Sequence, residues 1–168
     1  IHGTTLATNA LIERRGAHTA LITTKGFRDV IEMRTENRFE QYDLDIVLPA
    51  PLVPRNERFV LDERIDAGGK VLKAIDAAEL DALVDSILAG GFESVAIGLI
   101  HSYVNGAHER QIREALLAKA PELSVSISSE VSPQMREFQR FNTVCANAYV
   151  KPLMESYLRR LLGKLQGE

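Results

Sequence analysis

The sequence predicts an α/β domain, with a mixed, mainly parallel sheet, flanking helices and one β-hairpin. Three observations carry this. Helix-like and strand-like segments alternate along the 168 residues. The run at 94–100 (SVAIGLI) is almost continuously apolar, as a strand covered on both faces requires. A glycine turn, Asp66-Ala67-Gly68-Gly69-Lys70, separates two short strand-forming runs. Such alternation goes with parallel strands joined by crossover helices, here in a single domain over 1–168.

Each element has a local reason. Thr4 or Thr5 caps a first helix through Leu6, Ala7, Ala10 and Leu11 to Arg15, with Gly16 as its stop. TALITT at 19–24 is a short buried strand. Lys25-Gly26 turns the chain into a short helix at 27–33. Residues 35–58 are irregular: they hold Glu36, Asn37, Arg38 and Glu40, and the prolines Pro49, Pro51 and Pro54. A loop this long in a compact domain goes with function or disorder. The arms at 59–65 and 71–74 form the hairpin. Asp76 then caps a helix, with Glu79 at the capping-box spacing. Its residues Leu80, Leu83, Val84, Ile87 and Leu88 share one face, and Gly90-Gly91 ends it.

After the strand at 94–100, Asn105 caps a helix through Ala118. Glu109 with Arg113, and Arg110 with Glu114, are i,i+4 pairs assigned to its solvated face. A third short strand covers 125–128. Val150, Leu153, Met154, Tyr157, Leu158, Leu161, Leu162 and Leu165 make a helical stripe. Pro152 marks its first turn, or a kink in a longer helix from about Arg140.

Composition narrows the classes of function. Hydrophobic residues make up 45% and charged residues 26%, enough apolar surface to fill a core. The net charge of −3 gives no general attraction to nucleic acid or acidic membrane. No apolar run approaches the ~18 residues of a membrane span. No basic-then-apolar leader is seen, so a cytoplasmic location is expected. Cys145, the lone cysteine, excludes an intrachain disulfide and a cysteine-based zinc site. The chain opens Ile1-His2-Gly3-Thr4-Thr5 without an initiator methionine, which is read as a piece of a longer protein.

Several residues are candidates for chemistry. Gly3-Thr4-Thr5 opens a helix, where free N–H groups and two hydroxyls suit a phosphate or carboxylate; plain N-capping is the competing reading, and on pattern alone the stronger one. Asn9 lies one turn on from Thr5. His101-Ser102 ends the most apolar strand, a position where open α/β sheets bind ligands. Neighbours on a strand face opposite ways and no G-x-S-x-G elbow is present, so this pair is read as a structural strand end. The four histidines His2, His18, His101 and His108 lack metal-ligand spacing, and no protein-only metal site is assigned. Gly68-Gly69-Lys70 reads as a turn and Cys145 as inert packing. Arg136, Arg140 and Thr143 share a helical face that could bind an anion or be solvated.

Longer strings carry more. HGTTLATNALIER at 2–14 resembles the HGTT-x-ATNAL-x-E-R segment of the hydantoinase A/5-oxoprolinase family. So do TALITTKGFRDVI at 19–31, LIHSYVNGAHE at 99–109, Ser128-Ser129-Glu130, and Asn147-Ala148-Tyr149 with Pro152. The likeness runs in order through essentially the whole chain.

That resemblance implies part of the N-terminal domain of an ATP-dependent enzyme, similar to the actin and sugar-kinase ATPases. The implied chemistry is phosphoryl transfer to an amide or enolate oxygen, using ATP and Mg2+ in the parent protein. The substrate would be a small cyclic amide such as a hydantoin or 5-oxoproline. A ketone-carboxylase subunit is the enzymatic alternative, and a non-catalytic assembly module the alternative from another class. A hydantoinase B-type second subunit and an oligomeric parent are also implied. His2, Gly3, Thr4 and Thr5 would face the phosphates or the reacting group, with Asn9 orienting them and Arg140 stabilising charge. Upstream and downstream phosphate loops of the family are not in this chain, so the 168 residues alone are expected not to hydrolyse ATP. Phe141-Asn142-Thr143 replaces the family's serine-threonine run.

Overall fold

The computed structural model describes residues 5–35 and 42–165. In chain order its elements are α1 (Leu6–Ile12), β1 (Thr19–Thr24), α2 (Val30–Met33), a 3-10 turn (Arg55–Glu57), β2 (Arg58–Leu61), β3 (Arg64–Ile65), β4 (Val71–Lys73), α3 (Ala77–Ala89), β5 (Ser94–Gly98), α4 (Ala107–Lys119), β6 (Ser124–Ile127), α5 (Ser128–Val131) and α6 (Glu137–Leu165). Four strands form one sheet in the order β2-β1-β5-β6, with every neighbouring pair parallel.

Period-two alternation sets the layers. Ala20, Ile22, Val95, Ile97, Val125 and Ile127 face one side, where α3 and α4 supply Leu83, Val84, Ile87, Ile112 and Leu116. Leu21 and Ala96 face the other, packing against Ile31 and against Phe141, Val144, Cys145 and Ala148 of α6. The α6 side of β5 and β6 carries small residues: Ser94, Ala96 and Gly98, then Ser124 and Ser126. This lets α6 lie close to the sheet. A Cβ on Gly98 would meet Cδ1 of Phe141 at 2.6 Å. Burying a side chain such as Phe141 contributes about 1.5–3 kcal/mol.

The hairpin is present but stands apart as a two-stranded antiparallel sheet, β3 with β4. The predicted arm at 59–65 is divided. Its first part joins β1 in the parallel sheet, and only Arg64–Ile65 reaches the hairpin. The break falls at two acids with opposite fates. Asp62 pairs outward with Lys25 and Lys73, while Glu63 turns inward and is fully buried. The turn forms as expected: the Asp66 carboxylate accepts from Gly68 N and Lys70 N, and Gly69 takes a positive φ of 86°.

Three helix ends differ from expectation. α1 stops at Ile12, where Arg14 takes the left-handed conformation and Arg15 N donates to Ala10 O. Gly16 is therefore no helix stop; it is the seat of the Tyr149 ring, which leaves no room for a Cβ. At α3, Asp76 accepts from Glu79 N as the capping box requires. The Glu79 carboxylate instead accepts from Asp62 N, tying the helix to the sheet. At α4, Gly106 is the N-cap, and Asn105 holds the turn before it by bonding Ala107 N and Gly69 O.

α6 is one continuous 29-residue helix through Pro152. Proline lacks the N–H that would bond back one turn. Nearby, the Tyr149 carbonyl accepts from Ala17 N, fastening α6 to the start of β1. Lys151 reaches from α6 to the Val125 carbonyl of the outer strand β6, and Asn147 bonds Ser126 Oγ beside it. The predicted leucine stripe ends exposed, at Leu158, Leu162 and Leu165. Among the described residues no helix is long and apolar enough to cross a membrane.

Candidate functional site

Three strands end close together. Thr24 closes β1, the turn that begins at Leu99 follows β5, and Ser128 follows β6. Parallel sheets bind ligands beyond these carboxyl ends. Here the ends are joined by two buried polar networks.

The first is built on Glu109, which is fully buried. Its carboxylate accepts from Leu99 N at 2.9 Å, Ser128 Oγ at 2.6 Å and Ser129 N at 2.8 Å. Arg140, also fully buried, donates to Leu99 O and Gln134 O at 2.8 Å and to Ser128 Oγ at 3.2 Å. Ser128 thus gives its hydroxyl hydrogen to Glu109 and accepts from Arg140. Ser102 Oγ, 3.0 Å away, completes its shell as a donor. Burial pushes the Arg140 guanidinium below its ordinary pKa, against the pull of Glu137, Glu109 and Tyr103. The Tyr103 ring covers the guanidinium, 5.3 Å from its carbon.

The second network is built on Glu63. One carboxylate oxygen accepts from Thr24 Oγ1 and the other lies 2.6 Å from His108 Nδ1. Thr24 Oγ1 in turn accepts from Ile100 N at 3.0 Å. Buried charges survive only when their hydrogen bonds are satisfied, and both carboxylates meet that condition.

Between the networks stands His101. Its backbone is left-handed, with φ 54°, and its Nδ1 is buried without a partner. Thr23, one residue before the end of β1, has the same defect at Oγ1.

Of the residues expected from sequence, His2, Gly3 and Thr4 lie outside the described residues. Thr5 precedes α1, is exposed, and makes no side-chain capping bond. Asn9 is exposed on α1, which packs against α6. Arg140 is enclosed by protein oxygens, and no hydrogen bond joins it to Thr5 or Asn9. The expected face of Arg136, Arg140 and Thr143 does not exist: Arg136 precedes α6 with φ 81°, Arg140 points inward, and Thr143 is exposed. The expected solvated pair Glu109–Arg113 is likewise absent. Glu109 serves the sheet ends, and Arg113 pairs with Glu130 at 2.7 Å. That bond raises the Arg113 pKa and holds Glu130 below its usual range.

Glu63, His108, Glu109, Ser102 and Ser128 were not foreseen as one site. A signal for Glu109 existed: it precedes Ile112 by three and Leu116 by seven, on the apolar face of its helix.

A cleft of about 350 Å³ lies beside the start of α6, lined by Phe27, Val30, Arg34, Arg136 and Phe138 among others. A cavity of about 490 Å³ at the amino end of β1 is lined by His18, Glu57, Glu93 and Tyr149. Its polar groups are spent on each other: His18 Nε2 lies 3.1 Å from Glu57, and His18 N donates to Glu93. Among the described residues no group of three or more His, Cys, Asp or Glu is placed to hold a metal ion.

The family described as hydantoinase/oxoprolinase N-terminal region matches residues 1–120. The crystal structure of an ATP-dependent caprolactamase from Pseudomonas jessenii superposes with a TM-score of 0.90 at 33% identity, covering 99% of this chain and 24% of that one. 5-oxoprolinase 1 of Arabidopsis thaliana is 33% identical over 99% of this chain and 14% of its own length. The gamma subunit of acetophenone carboxylase from Aromatoleum aromaticum is 26% identical over 99% of this chain and 25% of its own. The chain therefore spans a quarter or less of the length of these relatives.

Proposed function

Because this chain belongs to the hydantoinase/oxoprolinase N-terminal family, we propose that its full-length protein is an ATP-dependent hydrolase of small cyclic amides. The observation that carries this reading is the match of nearly the whole chain to a caprolactamase described as ATP-dependent. ATP would supply a phosphoryl group to the amide carbonyl oxygen and so open the ring carbon to water.

The residues that would hold the nucleotide or reacting group are His2, Gly3, Thr4 and Thr5, with Asn9 beside them. One feature of the structure supports Thr5: the residue is exposed and its side chain makes no capping bond, which among the described residues leaves its hydroxyl open to a ligand oxygen. Arg140 acts at a distance, by holding the Leu99 carbonyl in place. Magnesium would come with the ATP, held chiefly by its phosphates. The 168 residues by themselves should not turn over ATP. A second subunit is part of the reading, since two relatives are named as subunits.

The acetophenone carboxylase relative favours a second reading, in which the same activation precedes carboxylation of a ketone. One experiment separates the two. ADP release by the full-length protein, with magnesium, is measured against cyclic amides and against ketones plus bicarbonate. Release with hydantoins, lactams or 5-oxoproline and a ring-opened product supports the hydrolase. Release only with ketone and bicarbonate supports the carboxylase. No release with either, partner subunits supplied, removes both and leaves an assembly role.

A further inference from the structure

We infer that His101 is a ligand-binding residue of the parent's active site, and that the Glu109–Ser128–Arg140 network positions it. The inference rests on the reading above and adds a residue to it.

Most polar side chains around His101 at the sheet ends are spoken for, Thr23 Oγ1 and Ser129 Oγ excepted. Thr24, Glu63, His108, Ser102, Glu109, Ser128 and Arg140 all make protein hydrogen bonds. The His101 ring makes none among the described residues, and its Nδ1 is buried and unpaired. A buried ring nitrogen without a partner calls for an explanation in a native structure, and a ring held for a ligand through its other nitrogen supplies one.

The backbone makes the same point. A left-handed φ of 54° is one that residues with a Cβ avoid, and glycine would hold it without strain. Here it is imposed from both sides. Leu99 is gripped at N–H by Glu109 and at C=O by Arg140. Ile100 N is held by Thr24, and Ser102 Oγ by Ser128. The His101 carbonyl closes the following turn by accepting from Val104 N and Asn105 N. Strain over-determined by its surroundings is characteristic of functional positions. With Nδ1 enclosed and bare, a neutral ring is better placed with its proton on Nε2, because an unmade buried N–H costs more than an unused lone pair. The ring then offers a donor to an oxygen acceptor at the carboxyl end of β5. That oxygen is either the carbonyl of the cyclic amide or a phosphate oxygen of the nucleotide.

The test uses the full-length protein and three variants, His101→Gly, His101→Asn and Ser128→Ala. His101→Gly relieves the backbone and removes the ring, so its melting temperature should equal or exceed that of wild type while kcat/KM falls at least tenfold. His101→Asn, which tolerates the left-handed backbone and keeps a donor, should retain more activity than His101→Gly. A selective rise in KM for the amide assigns the carbonyl; a selective rise in KM for ATP assigns the phosphate. Ser128→Ala should lower kcat with a smaller change in either KM. If wild type turns nothing over, the same comparison is read by calorimetric binding of ATP and of the amide panel, which keeps the two readings separate. Unchanged kinetics or binding in His101→Gly overturns the inference. So does a loss of activity matched by a fall in melting temperature, which would make the residue structural.

Discussion

Glu109 and Arg140 grip opposite ends of one residue. Leu99 gives its N–H to the carboxylate at 2.9 Å and its carbonyl accepts from the guanidinium at 2.8 Å, while Ser128 bridges the two charges. Neither charge is in the first coordination shell of the other. They are coupled through the backbone they hold. Glu109→Ala leaves Leu99 N, Ser128 Oγ and Ser129 N without their shared acceptor, and each buried donor left unsatisfied costs about 1–3 kcal/mol. Urea unfolding of Glu109→Ala, Arg140→Met and the double variant should show strong coupling, the double costing well under the sum of the singles. Additive losses would show that the two act independently.

Thr5→Ala should separate capping from ligand binding. Losing a working N-cap costs about 1 kcal/mol. Thr5 makes no capping bond, so the substitution should change stability by less than about 0.5 kcal/mol. In the full-length protein turnover should fall much further, read as kcat/KM for ATP. A stability loss with normal turnover would return Thr5 to a capping role.

The close approach of α6 to β5 should be sensitive to a single methyl group. Gly98→Ala places a Cβ 2.6 Å from the Phe141 ring, and overpacking of this kind costs about 1–3 kcal/mol. Phe141→Leu in that background should recover part of the loss. Chemical denaturation of the four variants in a cycle reads the effect directly.

Cys145 is fully packed under α6, and burial pushes its thiol from 9.0 up to about 12. The native protein should therefore resist maleimide at pH 8 and react promptly once unfolded in urea. The sign in alkali follows: the unfolded thiol ionises from 9.0 upward while the folded one does not, so its contribution to stability is full below that pH and is lost as pH rises toward 12.

Asp62 should contribute to an acid transition. Hydrogen bonds from Lys73 and then Lys25 hold its carboxyl below the ordinary 3.8, with desolvation opposing. A depressed pKa stabilises above the unfolded value and loses that contribution as pH falls through the folded one. The stability difference between wild type and Asp62→Asn should be constant above about pH 5 and vanish below the folded value. A difference that persists at pH 2 would place the effect elsewhere.

The fold was legible in the sequence where local pattern decides. TALITT, the Asp76 cap and the Gly68-Gly69 turn form where expected, because period, capping chemistry and turn residues act over a few positions. Expectation failed where tertiary contact decides. Glu109 reads as a surface charge beside Arg113, yet the end of β5 needs a carboxylate for its N–H. Gly16 reads as a helix stop, yet Tyr149 from far along the chain claims it. The site was less legible still, since Glu63, Glu109, Ser128 and Arg140 lie far apart in sequence and meet only once the strands align.

Lys151 carries a consequence for association. An outer strand offers bare carbonyls that a strange strand can zip onto. On β6 one of these is occupied by an ammonium group, and Asn147 stands next to it. A newcomer would have to evict a charge before forming its first bond. That flank of the sheet is a selvedge, finished so that it does not unravel into its neighbours.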